Sequence, residues 1–186
     1  MKNKTIAKPR IYVAYGSNLD LTQMAHRCPG ACPIGTGVIN NYQLMFKGSK
    51  TGSYATIEPA GGYTVPVLLW AISASNENSL DLYEGCPTFY YKRNIAIDNF
   101  IPLKDYPTLQ ISSGMVYIMH EDRKFGIPSL QYYNVLNEGY KLFEFDQHIL
   151  RDAYQFSCEK TAEGHEDFEE VYTWIKQPLP KNKSQK

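Results

Sequence analysis

No apolar run in this sequence approaches the roughly 18 residues that a membrane-spanning helix requires, and the opening MKNKTIAKPR has no apolar stretch of the kind that directs secretion. A cytoplasmic protein is the expectation, with no membrane partner. Cysteine is scarce, at four residues in 186, and without an export signal those thiols are expected to stay reduced. Cys28 and Cys32 form a C-x3-C pair, but no second Cys/His pair follows at zinc-site spacing. His26, His120, His148 and His165 are scattered, with no HExxH, so a metal-dependent hydrolase has no support. The glycine spacing and lysine of a phosphate-binding loop are missing as well, and no nucleotide is implied. Neither metal nor cofactor is expected.

Charge of one sign is lacking overall, since 19 basic residues balance 19 acidic ones. The layout is uneven: Lys2, Lys4, Lys8, Arg10, Lys176, Lys181, Lys183 and Lys186 lie in the two ends, which leaves residues 11–175 with 11 basic against 19 acidic side chains, a net −8. A groove that tracks phosphates needs a positive stripe, so nucleic acid is not an expected partner. A composition 43% hydrophobic and 20% charged is that of an ordinary globular chain. At this length, with no repeat and no linker, one domain over 11–175 is expected, flanked by flexible ends at 1–10 and 176–186.

Ile11 to Tyr15 reads as a buried strand that breaks at Gly16, after which Asp20 can cap a short helix ending at Pro29-Gly30. Further strands are expected around 35–47, 54–57, 63–73, 89–98 and 109–119, from runs of Tyr, Val and Ile punctuated by Gly, Pro and Asn. Ser75 to Gly85 opens on cap-type residues and closes on glycine, which predicts one short helix with Glu84 as its last residue. From Pro128 the spacing of Leu130, Tyr133, Leu136 and Tyr140 predicts a helix, and Phe145–Cys158 a second.

Two places carry the elements of chemistry. In Tyr15-Gly16-Ser17-Asn18-Leu19, a strand breaking into a helix start gathers backbone N–H groups, which suit a carboxylate or a developing oxyanion; an ordinary tight turn uses the same residues. Ser17 is not placed as a nucleophile, because the nucleophile-elbow pattern needs glycine where Leu19 stands. Glu84 sits at a helix C-terminus, where the macrodipole disfavours a carboxylate. Asp81 one turn earlier, if it faces the same way, and burial among Leu80, Tyr83, Phe89 and Tyr90 would both raise its pKa. A solvent-facing glutamate is the plainer alternative. Cys86 has no histidine near it in sequence and reads as a structural thiol rather than a nucleophile.

Taken together, Tyr12-Val13-Ala14-Tyr15-Gly16-Ser17-Asn18-Leu19, Tyr54-Ala55-Thr56-Ile57-Glu58-Pro59, Val67-Leu68-Leu69-Trp70 and Ser79-Leu80-Asp81-Leu82-Tyr83-Glu84-Gly85 resemble, in order and spacing, the γ-glutamylcyclotransferase-like (AIG2-like) family, from about residue 11 to about 145. The resemblance implies an α+β fold, a small mixed β-barrel with flanking helices. It implies that residues Tyr15, Gly16, Ser17, Asn18 and Leu19 bind a γ-glutamyl group and that Glu84 is the catalytic acid/base. It further implies that Tyr117 and Tyr132 hydrogen-bond the substrate, with Tyr133 an alternative to Tyr132.

The activity so implied is release of an amine from a γ-glutamyl compound with formation of 5-oxoproline, without metal or cofactor. The loop reads YGSN, unlike the YGTL of the branch that resembles γ-glutamylamine cyclotransferases and the YGSL of the glutathione-degrading branch. Small-molecule γ-glutamyl amino acids are therefore the first expected substrates, and γ-glutamyl-capped metabolites the second. Two rivals stand beside this reading: a non-catalytic binding module on the same fold, and a thiol hydrolase using Cys86.

Overall fold

The computed structural model describes residues 9–49 and 52–163. Along the chain these form β1 (Arg10–Ala14), a 3-10 turn (Ser17–Leu19), α1 (Leu21–Arg27), β2 (Cys32–Ser49), β3 (Gly52–Ile72) and α2 (Ala74–Glu84). There follow β4 (Tyr90–Ala96), β5 (Asp98–Pro102), β6 (Ser113–Met119), β7 (Lys124–Phe125), α3 (Leu130–Leu142) and α4 (Gln147–Ala162). The expected domain limit at residue 175 and most of the two basic ends lie outside the described residues. Arg10 does not belong to a flexible end as expected: it opens β1 and pairs with Glu77. Among the described residues no helix is long and apolar enough to cross a membrane.

All seven strands join one mixed sheet in the order β4-β6-β1-β3-β2-β5, with β7 also on β2. Only Ile97 separates β4 from β5, yet these strands stand at the two ends of that path. The sheet must therefore curl until its edges approach each other, and the result is a curled half-barrel with flanking helices. The pairing of β1 with β6 is parallel and the others are antiparallel. The expected mixed α+β architecture is what the chain adopts.

Several strand limits differ from the expectation, for identifiable reasons. The strands expected at 54–57 and 63–73 are one element, β3, interrupted where its register against β2 shifts between Asn40 and Tyr42. Across that shift Tyr42 faces Pro59 and Asn40 faces Thr64, so residues 60–63 bulge out opposite Asn41. The strand expected at 89–98 divides at Ile97 because its halves pair with different neighbours, β6 and β2. The strand expected from 109 begins only at Ser113, after turns that bond Tyr106 N to Leu103 O and Leu109 N to Tyr106 O.

The helices cover the sheet and fix the site. In α3, Tyr133, Leu136, Gly139 and Tyr140 are buried, while Leu130, expected on that face, is 45% exposed at the first turn. Helix α4 is tied to β2 by Ser157 Oγ, which is fully buried and accepts from Phe46 N at 2.7 Å. Gly139 matters to the site because it lets α3 approach the 3-10 turn: a Cβ there would lie 2.6 Å from Leu19 Cβ. Both residues are buried within the core, so the overlap has no solvent side into which to relax. Gly139→Ala should therefore cost about 1–3 kcal/mol in a denaturant melt. An unchanged midpoint would show that α3 does not set the position of the turn.

Candidate functional site

The polypeptide leaves β1 at Ala14, and the 3-10 turn closes with Leu19 N donating to Gly16 O at 3.0 Å and Asp20 N to Ser17 O at 3.1 Å. Those bonds leave the N–H groups of Ser17 and Asn18 outside the turn's own bonding. Asp20 then caps α1, accepting from Thr22 N at 2.8 Å and Gln23 N at 3.0 Å. The loop is thus a defined structure rather than a free span.

Helix α2 brings Glu84 to this loop. It begins with a capping box between Ser73 and Asn76 and ends with Gly85 in the left-handed conformation at φ 63°, where glycine carries no Cβ penalty. Its flank is clamped by ion pairs: Glu77 to Arg10 of β1, and Lys92 of β4 to Glu77 at 2.7 Å and Asp81 at 2.9 Å. Asp81 also accepts from the Tyr117 hydroxyl at 2.6 Å. The condition on Asp81 is not met: it is turned away from Glu84 toward Lys92 and Tyr117, and it is not among the groups that raise the pKa of Glu84.

Asn18, buried at 3% exposure, ties loop and helix together. Its Nδ2 donates to Glu84 Oε1 at 3.1 Å and to the Tyr12 hydroxyl at 2.7 Å, and its carbonyl accepts from Trp70 Nε1 at 3.2 Å. Its Oδ1 accepts from Arg27, whose guanidinium also donates to Ser17 Oγ at 3.1 Å, to Gln23 and to the Tyr83 hydroxyl. The same guanidinium stacks 3.8 Å over the Tyr83 ring. Burial pushes the Glu84 carboxyl up to about 7, against the opposing pull of Arg27 and of the Asn18 hydrogen bond.

Around Glu84 lie two connected spaces. An inner recess of about 30 Å³ is lined by Tyr15, Gly16, Ser17, Asn18, Glu84, Tyr117 and Tyr132, together with Tyr12, Ala55 and Tyr90. An outer cleft of about 400 Å³ shares Ser17, Glu84, Tyr90 and Tyr132 with it. Seven of the eight residues expected at the site therefore line one recess, and Leu19 does not: it is fully buried in the core, facing Gly139. Tyr132, rather than Tyr133, lines the recess; Tyr133 packs in the core against Tyr154 with ring centres 5.3 Å apart.

The hydroxyls differ in what they offer. Tyr15 donates to the Tyr117 carbonyl at 2.6 Å and Tyr90 to the Ala55 carbonyl at 2.9 Å, so those protons are engaged. Tyr117 is engaged by Asp81. Tyr132 and Tyr12 instead accept, from Ala55 N at 3.1 Å and from Asn18, which leaves their own protons for a group in the recess. Burial raises the pKa of both, so they stay protonated donors near neutral pH. Burial likewise pushes the Cys86 thiol up, away from the thiolate a nucleophile needs.

Tyr12, Tyr54 and Arg27 were not singled out as site residues by sequence reasoning. Tyr12 and Tyr54 stand within two of the segments that carry the family resemblance, and that was an available signal. Arg27 had none, because a cation in the last turn of a helix is ordinary dipole chemistry.

With the geometry in view, comparison with known proteins gives concordant results. The family described as "Gamma-glutamyl cyclotransferase, AIG2-like" matches residues 12–135. A gamma-glutamylcyclotransferase of Homo sapiens is 38% identical over 89 residues, 44% of this chain and 47% of the human protein, so the match spans about half of that relative. A solved "Gamma-glutamyl cyclotransferase" superposes with a TM-score of 0.66 at 23% identity, covering 92% of this chain and 100% of the other. An uncharacterized human protein superposes equally, at 0.66 and 24% identity, over 91% of this chain and 99% of the other. At those identities the structural likeness is one of fold.

The role of Arg27 can be read without substrate. Arg27→Gln removes the positive charge that opposes the burial of Glu84, so the Glu84 carboxyl should titrate above its wild-type value in a carbon-13 NMR titration. An unmoved titration would show that the guanidinium does not act on Glu84.

Proposed function

The chain belongs to the γ-glutamyl cyclotransferase, AIG2-like family, and on that premise we propose that it converts a γ-glutamyl amino acid or amide to 5-oxoproline and a free amine, with Glu84 as general acid/base. The observation that carries the reading is Glu84 itself. Its carboxyl, pushed up to about 7 by burial, stands where the recess opens into the cleft and is held by Asn18. A group with that pKa populates both base and acid forms near neutral pH, which suits a residue that must take a proton and return it.

In the proposed reaction the γ-glutamyl group lies across the mouth of the recess, which at about 30 Å³ takes only its polar end, with the rest of the group in the outer cleft and its α-ammonium against Glu84. Glu84 takes a proton from the ammonium, and the freed amine attacks the γ-carbonyl carbon. A carbon–nitrogen bond forms to close the five-membered ring. The bond to the leaving nitrogen then breaks as Glu84 gives that nitrogen its proton, and the regenerated carboxylate takes the second proton from the ring nitrogen and passes it to the freed amine, which leaves a neutral lactam and an ammonium. Substrate atoms are conserved between 5-oxoproline and amine, and no water is consumed. The N–H groups of Ser17 and Asn18 are suited to the developing oxyanion. The free hydroxyl protons of Tyr12 and Tyr132 are suited to the α-carboxylate. Holding the chain folded lowers the barrier further, by making ring closure a matter of position.

Glu84→Gln keeps the shape and removes the base. In a mass-spectrometric assay of 5-oxoproline from γ-glutamyl amino acids, γ-glutamyl amines and glutathione, this variant should lose about 10²–10⁴-fold in kcat. Full activity in the variant would overturn the assignment. Stability supplies a second reading. A carboxyl whose pKa is raised on folding makes the native state hold the proton more tightly than the unfolded chain, so its contribution to stability falls as pH rises from about 4.5 through about 7. Glu84→Gln should therefore raise Tm relative to wild type more at pH 8 than at pH 5, as a thermal melt would register.

A further inference from the structure

Beyond the recess, under the reading above, the outer cleft of about 400 Å³ must receive the remainder of the γ-glutamyl group and whatever amine leaves, and its lining is distinctive. Two edge-to-face aromatic pairs form part of it, Tyr54 with Tyr132 and Phe89 with Tyr90, each with ring centres 5.3 Å apart. Tyr83 and Leu82 stand at the rim, 52% and 86% exposed, and Leu82 is the most exposed of the large apolar side chains among the described residues. An apolar side chain left in water beside an aromatic cleft marks a surface that gains by being covered.

Charge in the cleft points the same way. Glu84 is its one carboxylate, and among the described residues no Lys, Arg or His lines it. Two guanidinium groups stand behind its rings: Arg27 bonds the loop, Gln23 and Tyr83, and Arg123 lies 4.9 Å over the Phe89 ring, donating to Thr88 O at 3.0 Å while its Nε has no partner among the described residues. A leaving group bearing a carboxylate at its far end would meet rings and another carboxylate, and among the described residues the lining holds no cation to pair with it directly. A flat apolar side chain would find ring edges and faces at stacking distance.

We infer that, within the cyclotransferase reading, the outer cleft selects γ-glutamyl compounds whose leaving amine carries an aromatic or comparably bulky apolar side chain, in preference to glycine-sized or peptide leaving groups such as that of glutathione. The reading assigns selectivity to Phe89, Tyr54 and Leu82, none of which touches the reacting atoms. It makes the outer rings of the cleft a specificity element distinct from the recess, which would take only the polar end of the constant γ-glutamyl part.

The test measures kcat/KM for γ-glutamyl-phenylalanine, γ-glutamyl-phenethylamine, γ-glutamyl-glycine and glutathione. It is run on the wild type, on Phe89→Leu, which keeps an apolar side chain and loses the ring, and on Leu82→Gln, whose site is too exposed to threaten folding. The ring-bearing substrates should exceed the other two by about tenfold or more, the scale set by apolar pocket contacts, and both variants should narrow that ratio. Equal values, or a preference for glutathione, would overturn the inference and leave the cyclotransferase reading intact. Calorimetric binding of γ-glutamyl-phenylalanine and γ-glutamyl-glycine to Glu84→Gln separates the remaining cases. Tighter binding of the ring compound without turnover by the wild type would retain the cleft selectivity and remove the cyclotransferase reading. Equal binding without turnover would remove both.

Discussion

The side-chain amide of Asn18 is the joint on which the site depends. One buried group bonds Tyr12 of β1, Arg27 of α1 and Glu84 of α2, while its main-chain carbonyl takes the indole of Trp70 in β3. Both amide protons and the amide oxygen are used, so the side chain has one orientation that satisfies its neighbours. Aspartate is nearly the same shape, yet it would place a second carboxylate against Glu84 and remove both donors. The sharp exit from β1 at Gly16 and the close approach of α3 at Gly139 serve to hold this joint in place.

From that joint follows the balance that sets the state of Glu84. Burial disfavours its charged form, while the positive charge of Arg27 and the amide of Asn18 favour it, and burial wins by enough to bring the group to about 7. The remaining acids of α2 are kept out of the balance, since Glu77 and Asp81 are neutralised on the other flank by Arg10 and Lys92. One helix thus separates its carboxylates by facing: two anchor it to the sheet, and one is left at the cavity. The clamp and the joint act at different points of α2, and together they fix where its last residue stands.

How far the sequence disclosed this varies by element and for physical reasons. Helix α2 and Glu84 at its end were legible because the capping residues and Gly85 are local signals. The loop from Tyr15 to Asn18 was legible for the same reason, reinforced by the family resemblance. Leu19 was misplaced because its neighbours in sequence belong to the site while its side chain points at Gly139, a contact 120 residues away in the chain. The facing of Asp81 stayed open because what fixes it is Lys92 and Tyr117 on two strands, which helical spacing does not report. The division at Ile97 and the long bulged β3 were hidden likewise, since pairing partners decide strand limits more than local propensity does.

The central claim is that Glu84 works as a base whose ordinary acidity has been displaced by burial. The most direct measurement is the pH dependence of kcat/KM for a γ-glutamyl substrate, which reports the ionisation of the free enzyme. The account predicts an acid limb with an apparent pKa near 7, along which activity falls as Glu84 takes up its proton. A rate that holds level down to the pKa of an ordinary glutamate, about 4.3, would contradict it.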